Sequence, residues 1–210
     1  MISLRSLKTK FCRPKIFMGL DFSKVGKKSQ ALSAALRFLL AASIILFLDR
    51  LSKYLVMEKI PWTRGNPTYH FGGENEPISV IDNLLYIVHI TNEGAAWGIL
   101  SGRTYLLTSI AILALAGLWL FRRYFGFDSL VGQISLGMFA GGVLGNLIDR
   151  ISYGHVIDFI DVHIPLINYR WPAFNVADCG ICIGVGLYVI SVLIDDWKQK
   201  KSKKSAESKV

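Results

Sequence analysis

Cysteine is scarce in this chain, three in 210 residues, and charge is thin: 19% of residues are Asp, Glu, Lys or Arg against 52% apolar. Cys179 and Cys182 lie inside an apolar run, so a disulfide framework, which needs paired cysteines on loops, is excluded. The low charge, with a mean hydropathy of +0.40, excludes an ordinary soluble domain of this length. Acidic residues are the scarcer charge, 15 against 24 basic, for a net charge of +9. The basic residues sit at the two ends and beside the apolar runs. They form no separable basic domain, so nucleic acid is not an expected partner.

What is present is a series of apolar runs. The first, Leu36 to Leu48, continues through Asp49-Arg50-Leu51-Ser52-Lys53 to Met57; a second covers Tyr105 to Phe121, a third Leu130 to Ile148, and a fourth runs from about Ala173 to Ile194. A helical span takes roughly 20 apolar residues, so four transmembrane helices are expected. Asp49 and Lys53, at i and i+4, then share one helix face. Ahead of the first run stand Arg5, Lys8, Lys10, Arg13 and Lys15, with no uninterrupted apolar core before Leu39 and no small-residue cleavage site behind it. A retained basic arm is expected rather than a removable signal.

Segments 1–37, 122–129 and 195–210 hold nine, two and six Lys or Arg, 17 of the 24. With four spans these segments fall on one side, which the positive-inside rule makes cytoplasmic, both termini included. The expected fold class is thus an all-α membrane protein with a small extracytoplasmic β/loop subdomain between helices 1 and 2. The expected divisions are a basic N-terminal arm (1–35), a membrane domain (36–194) with an insert at 58–103, and a lysine-rich tail (195–210). Within the insert, prolines and the Gly72-Gly73 pair give way to Leu84-Leu85-Tyr86-Ile87-Val88-His89-Ile90, which predicts a strand or small sheet on the membrane surface. Asn92 and Gly94 then predict a tight turn. Gly137, Gly141 and Gly145, with Gly180 and Gly184, have the small-residue spacing that lets membrane helices approach closely, predicting that spans three and four pack together.

This topology delivers Asp49, Lys53, Asn92, Asn146 to Arg150, Asp158 and Asp178 to one outer layer. Ionisable groups at a membrane boundary are costly and mark function. Two carboxylates in a poorly solvated site share a proton, so one remains a base that activates water while the other polarises a carbonyl, and an amide is cleaved without metal or cofactor. The residues alone favour Asp178, near the start of the fourth span after Asn175, and place Asp158 next. Asp149 precedes Arg150 and reads more simply as a structural ion pair or helix-end residue. Asp161 reads as solvent-facing. His155, Asp158, Asp161 and His163 offer a metal-binding alternative that helical spacing disfavours. A proton-coupled transporter or channel using the same carboxylates is the non-enzymatic alternative; it is disfavoured because no internal repeat is visible and the polar groups gather at one surface.

Five blocks carry a resemblance: Asp49 with Lys53; Asn92-Glu93-Gly94-Ala95-Ala96; Gly142 with Gly145-Asn146-Leu147-Ile148-Asp149-Arg150; Gly154-His155-Val156-Ile157-Asp158-Phe159; and Phe174-Asn175-Val176-Ala177-Asp178. In this order the chain resembles the lipoprotein signal peptidases, the type II signal peptidase family. The resemblance implies a four-helix aspartic endopeptidase of the bacterial inner membrane, its site on the extracytoplasmic side, with Asp158 and Asp178 as the catalytic pair. It implies support or substrate contact from Asp49, Lys53, Asn92, Gly94, Asn146, Arg150 and Asn175. The implied substrate is a prolipoprotein whose lipobox cysteine carries diacylglycerol, cut just before that cysteine. Sensitivity to globomycin, a lipid surround, a monomeric state and no cofactor or metal are also implied. Trp97 stands where phenylalanine is usual in that family, and Cys179 where serine is usual.

Overall fold

The structure, a computed structural model, describes residues 22–62, 77–95, 99–122, 124, 125, 127 and 129–207. The arm before residue 22, the Gly72-Gly73 pair and Trp97 lie outside the described residues. Contacts divide the chain into two compact units, residues 1–33 and 34–210. In the first, the described residues are helical.

Four helices and four strands follow in the order α1 (Phe22–Lys59), β1 (Ile78–Ile81), β2 (Leu85–Asn92), α2 (Thr104–Leu120), α3 (Leu130–Tyr153), β3 (Val156–Ile164), β4 (Tyr169–Phe174) and α4 (Val176–Glu207). Among the described residues, three helical segments are long and apolar enough to cross a membrane: Ser29–Lys59, Leu130–Tyr153 and Val176–Ser202. α2 is apolar throughout but has 17 residues. The apolar stretch of α3 is 67% buried, against 6% and 17% for those of α1 and α4. α3 is therefore the inner helix, and this explains its lower hydropathy: it can carry Gln133, Ser135, Asn146 and Asp149 because protein rather than lipid surrounds them.

The helix ends follow from local chemistry. At the start of α3 the Ser129 hydroxyl accepts from the Gly132 N–H at 2.9 Å, an N-cap bond that satisfies one orphan donor of the first turn. At its end Gly154 takes the left-handed conformation, φ 78°, which a residue with a Cβ adopts only at a cost. α4 opens on reciprocal bonds: the Asp178 N–H donates to Asn175 Oδ1 at 2.9 Å and the Asn175 N–H to Asp178 Oδ2 at 3.1 Å. That is a capping box, and it fixes the Asp178 carboxylate at the mouth of the helix.

The four strands form one antiparallel sheet in the order β1-β2-β3-β4. The expected insert between helices 1 and 2 supplies only its first half. β3 and β4 come from between α3 and α4, so the sheet extends beyond the expected insert: Val156-Ile157-Asp158-Phe159-Ile160-Asp161-Val162 is a strand rich in β-branched residues. Likewise β4 runs to Phe174 and α4 begins at Val176, later than the apolar run suggests. The sheet docks on α1 through a cluster of Val56, Ile60, Ile157 and Phe159.

The glycine stripe of α3 faces a different partner from the one its spacing suggests. A Cβ on Gly137 or Gly141 would strike the backbone of Phe38 or Ala42, and one on Gly145 the Asp49 carboxylate, so the stripe admits α1. The packing of α3 on α4 holds, through Gly184, which meets Ser135 and Phe139 as its spacing suggests, and through Gly142, which meets the backbone of Ala177.

Candidate active site

Beneath the site lies a closed charge network. Lys53 Nζ is 3.0 Å from Asp49 Oδ1 and 2.7 Å from Asp149 Oδ2; Arg50 pairs with Asp49 at 3.2 Å and also with Asp149. Asp49 and Asp149 have no exposed surface and Lys53 only 1%. Two acids and two bases balance, which is the condition for burying charge at all. The spare lone pairs bind backbone: Asp49 Oδ1 accepts from the Ala177 N–H at 3.0 Å and Asp149 Oδ2 from the Ile157 N–H at 3.3 Å. Among the described residues, Arg50 Nε is the one buried side-chain nitrogen or oxygen left without a hydrogen bond. The network thus ties α1, α3, the start of β3 and the start of α4 into one block.

Above it stand the two candidate carboxylates. Asp158, in β3 opposite Ile90 of β2, is 2% exposed. Its Oδ2 accepts from Asn92 Nδ2 at 2.9 Å and its Oδ1 from Asn175 Nδ2 at 2.7 Å. Asp178, half-buried, accepts from Asn146 Nδ2 at 2.7 Å through Oδ1 and from the Asn175 N–H through Oδ2. Asn175 therefore touches both carboxylates, one through its side chain and one through its backbone. Asn146 Oδ1 in turn accepts from Lys53 Nζ at 3.0 Å and from Asn175 Nδ2 at 3.2 Å.

Burial, and then the neighbouring Asp178 charge, push the Asp158 carboxyl from 3.8 up to about 7; the Asn92 and Asn175 amides and Lys53 act in the opposite direction. A carboxyl poised near neutrality beside a second carboxylate has the electrostatics of a shared proton.

Asn92 ends β2 and its Oδ1 accepts from the Gly94 N–H at 2.9 Å, the turn its sequence predicts. Arg150 Nη2 donates to the Gly94 carbonyl at 3.1 Å, so α3 holds the chain leaving β2 against the site. Asp49, Lys53, Asn92, Gly94, Asn146, Arg150 and Asn175 are thus all brought to one place with Asp158 and Asp178. Asp49 and Lys53 lie below its surface, in supporting positions.

Asp149 has the structural ion pair expected of it, but with Lys53 and Arg50, since Arg150 turns to Gly94. Asp161 is corrected: it is 1% exposed rather than solvent-facing, and it pairs with Arg170 of β4. His163 hydrogen-bonds the Asn83 carbonyl at 3.1 Å and Asn168 Oδ1 at 3.3 Å. His155, Asp158, Asp161 and His163 are therefore dispersed along and just before β3, and among the described residues no group of three or more His, Cys, Asp or Glu is placed to hold a metal ion. Sequence reasoning passed over Arg50, whose place beside Asp49 gave no sign of a partner on another helix.

Comparison with known proteins gives the family. Residues 41–194 match the family described as signal peptidase (SPase) II. The chain is 36% identical to the lipoprotein signal peptidase of Syntrophotalea carbinolica over 73% of this chain and 88% of that protein. It is also 36% identical to the lipoprotein signal peptidase of Bacillus subtilis, over 78% of this chain and 97% of that one. A solved bacterial membrane enzyme, determined by the in meso method, superposes with a TM-score of 0.63 at 33% identity, covering 76% of this chain and 88% of the other. The chain belongs to the signal peptidase II family.

Proposed function

We propose that Asp158 and Asp178 are the catalytic pair with which this bacterial membrane hydrolase, an aspartic protease of the signal peptidase II family, removes signal peptides from prolipoproteins. The observation that carries the assignment is Asn175, bonded to Asp158 Oδ1 at 2.7 Å and to Asp178 Oδ2 at 3.1 Å. The carboxyl of Asp158, pushed up to about 7, holds the shared proton and donates it to the scissile carbonyl oxygen. Asp178 takes a proton from the attacking water, and the hydroxide adds to the carbonyl carbon. The tetrahedral intermediate collapses as the proton on Asp178 passes to the leaving nitrogen, and Asp158 recovers its own from the new carboxyl group. Asn146, Asn175 and Asn92 orient the two acids; Asp49 and Lys53 hold Asn146 and α4 from below; Arg150 and Gly94 fix the edge over which substrate lies.

The finer reading is a diacylglyceryl-modified prolipoprotein cut just before the lipidated cysteine by a monomer surrounded by lipid. α2 serves as a fourth, short span, both termini are cytoplasmic, and the site lies on the extracytoplasmic side of the inner membrane. The 17 basic residues of segments 1–37, 122–129 and 195–210 support that orientation. The test is incubation of the purified chain with a diacylglyceryl-modified prolipoprotein, with chelator or globomycin in parallel. Cleavage before the lipidated cysteine, unaffected by chelator and blocked by globomycin, is expected. Loss of turnover in chelator overturns the water-activating acid pair in favour of a metallohydrolase.

A further inference from the structure

An apolar groove lies well away from the two acids, where the last turns of α2 approach α3 and α4. Its volume is about 290 Å³, and its walls include Gly117 and Phe121 of α2, Phe125 of the following turn, Leu136 of α3, and Val185 and Tyr188 of α4. Leu118 and Leu136 beside it belong to a packed cluster that also holds Phe125 and Tyr188. The groove is smaller than the about 300–1,000 Å³ of sites that enclose whole ligands, and suits one or two large side chains.

Its position relative to the acids decides what fills it. Val185 follows Asp178 by seven residues, two helical turns, so it lies on the same face of α4 about 10 Å inward; Tyr188 lies about 15 Å inward. Val185 is 45% exposed, and Asp178, two turns before it, is half-buried. A substrate whose scissile bond is held at Asp178 has its apolar signal segment on the N-terminal side of that bond. If that segment runs inward as a helix along this face of α4, it passes over Val185 and meets the groove seven to ten residues before the cleavage point. Resting on the catalytic reading above, we propose that the groove is a specificity subsite that takes a large apolar side chain of the signal segment at that distance. Val185, a wall of the groove, shares its helix face with Asp178, and this continuity with the proposed cleavage site favours the substrate over a lipid chain as its occupant.

Gly117 offers a direct probe, because it lines the groove and a Cβ there meets nothing within 4 Å. The experiment compares two lipid-modified prolipoprotein peptides, one with Phe and one with Ala at the seventh and tenth positions before the cleavage point, cut by the full chain in proteoliposomes. The unaltered chain is expected to favour the Phe peptide in kcat/KM by about tenfold, the discrimination a hydrophobic pocket supplies. Gly117→Phe is expected to erase that preference, and Val185→Trp, which narrows the groove from α4, to do the same. An unaltered chain that cuts both peptides equally well overturns the subsite and leaves the catalytic reading standing. Equal slowing of both peptides by the two variants, scaling with the acyl length of the bilayer, assigns the groove to a lipid and also overturns it. Failure of the unaltered chain to cut either peptide removes the catalytic reading, and the subsite with it.

Discussion

Asn146 donates to Asp178 at 2.7 Å, and the same amide accepts through its oxygen from Lys53 at 3.0 Å. One side chain of the inner helix therefore joins the buried charge network to the proposed water-activating acid. Stability and catalysis are coupled at this residue, and the predictions below separate them.

Replacing either carboxyl by its amide is expected to end turnover while leaving the fold. Asp158→Asn and Asp178→Asn remove a proton acceptor or donor without changing shape, and general acid or base loss costs about 10²–10⁴-fold. Turnover of a diacylglyceryl-modified peptide and circular dichroism in detergent measure the two effects. A variant that keeps turnover is not part of the pair.

Activity is expected to fall as pH rises through about 7, because the proton Asp158 donates is then lost. The Asn92 amide lowers this group's pKa, so Asn92→Ala is expected to move the alkaline limb of the pH profile upward, together with a lower maximum. A limb unmoved by the substitution assigns it to another group. The stability sign follows from the same shift: the folded value lies above the ordinary 3.8, so the folded chain holds a proton that the unfolded chain releases. This group's contribution therefore favours folding below about 4 and weakens steadily as pH rises to about 7.

Lys53→Met is expected to destabilise severely, since it leaves Arg50 as the one cation against Asp49 and Asp149; breaking a buried pair costs about 3–5 kcal/mol. Asp149→Asn keeps the shape and removes one charge, so it is expected to lower the unfolding temperature more than it lowers turnover. Thermal unfolding followed beside turnover checks both. A turnover loss in Asp149→Asn without a thermal shift places that residue in the chemistry.

Asn175→Asp preserves the helix cap, because an aspartate oxygen accepts the Asp178 N–H as well as an asparagine oxygen does. It removes the donor to Asp158 and adds a third negative charge. Thermal stability is expected to fall, because Asn175 is fully buried, and turnover to fall further, by about 10² or more. Equal loss of both measures indicates that Asn175 acts through the cap alone.

Arg150→Lys keeps the charge and loses the forked donor that reaches the Gly94 carbonyl. A raised KM with a smaller change in kcat is expected, because the edge beside the substrate is freed while the acids stay in place. Steady-state kinetics on the same peptide gives the split.

Much of this architecture can be read directly from residue order. Long apolar runs bounded by Lys and Arg specify membrane helices whatever they pack against, because the cost of burying charge in lipid is local to each segment. The Asn92 to Gly94 turn and the bond between Asn175 and Asp178, three apart, are local as well, so sequence spacing suffices for both. Partners across the fold are a different matter. Nothing in the order of residues says that Gly137 and Gly141 admit α1 rather than α4, that Asp149 prefers Lys53 and Arg50 to its neighbour Arg150, or that Asp161 is buried against Arg170. The β3 and β4 strands were hidden for the same reason: a lone strand makes no hydrogen bonds of its own, and β3 is defined by β2, which comes from before α2 in the chain. The sequence by itself therefore determined the apolar helices and the kinds of residue that gather at the site. Only the tertiary structure decided which carboxylates are neutralised by cations and which are left to share a proton, because that depends on distances between side chains from different helices and strands.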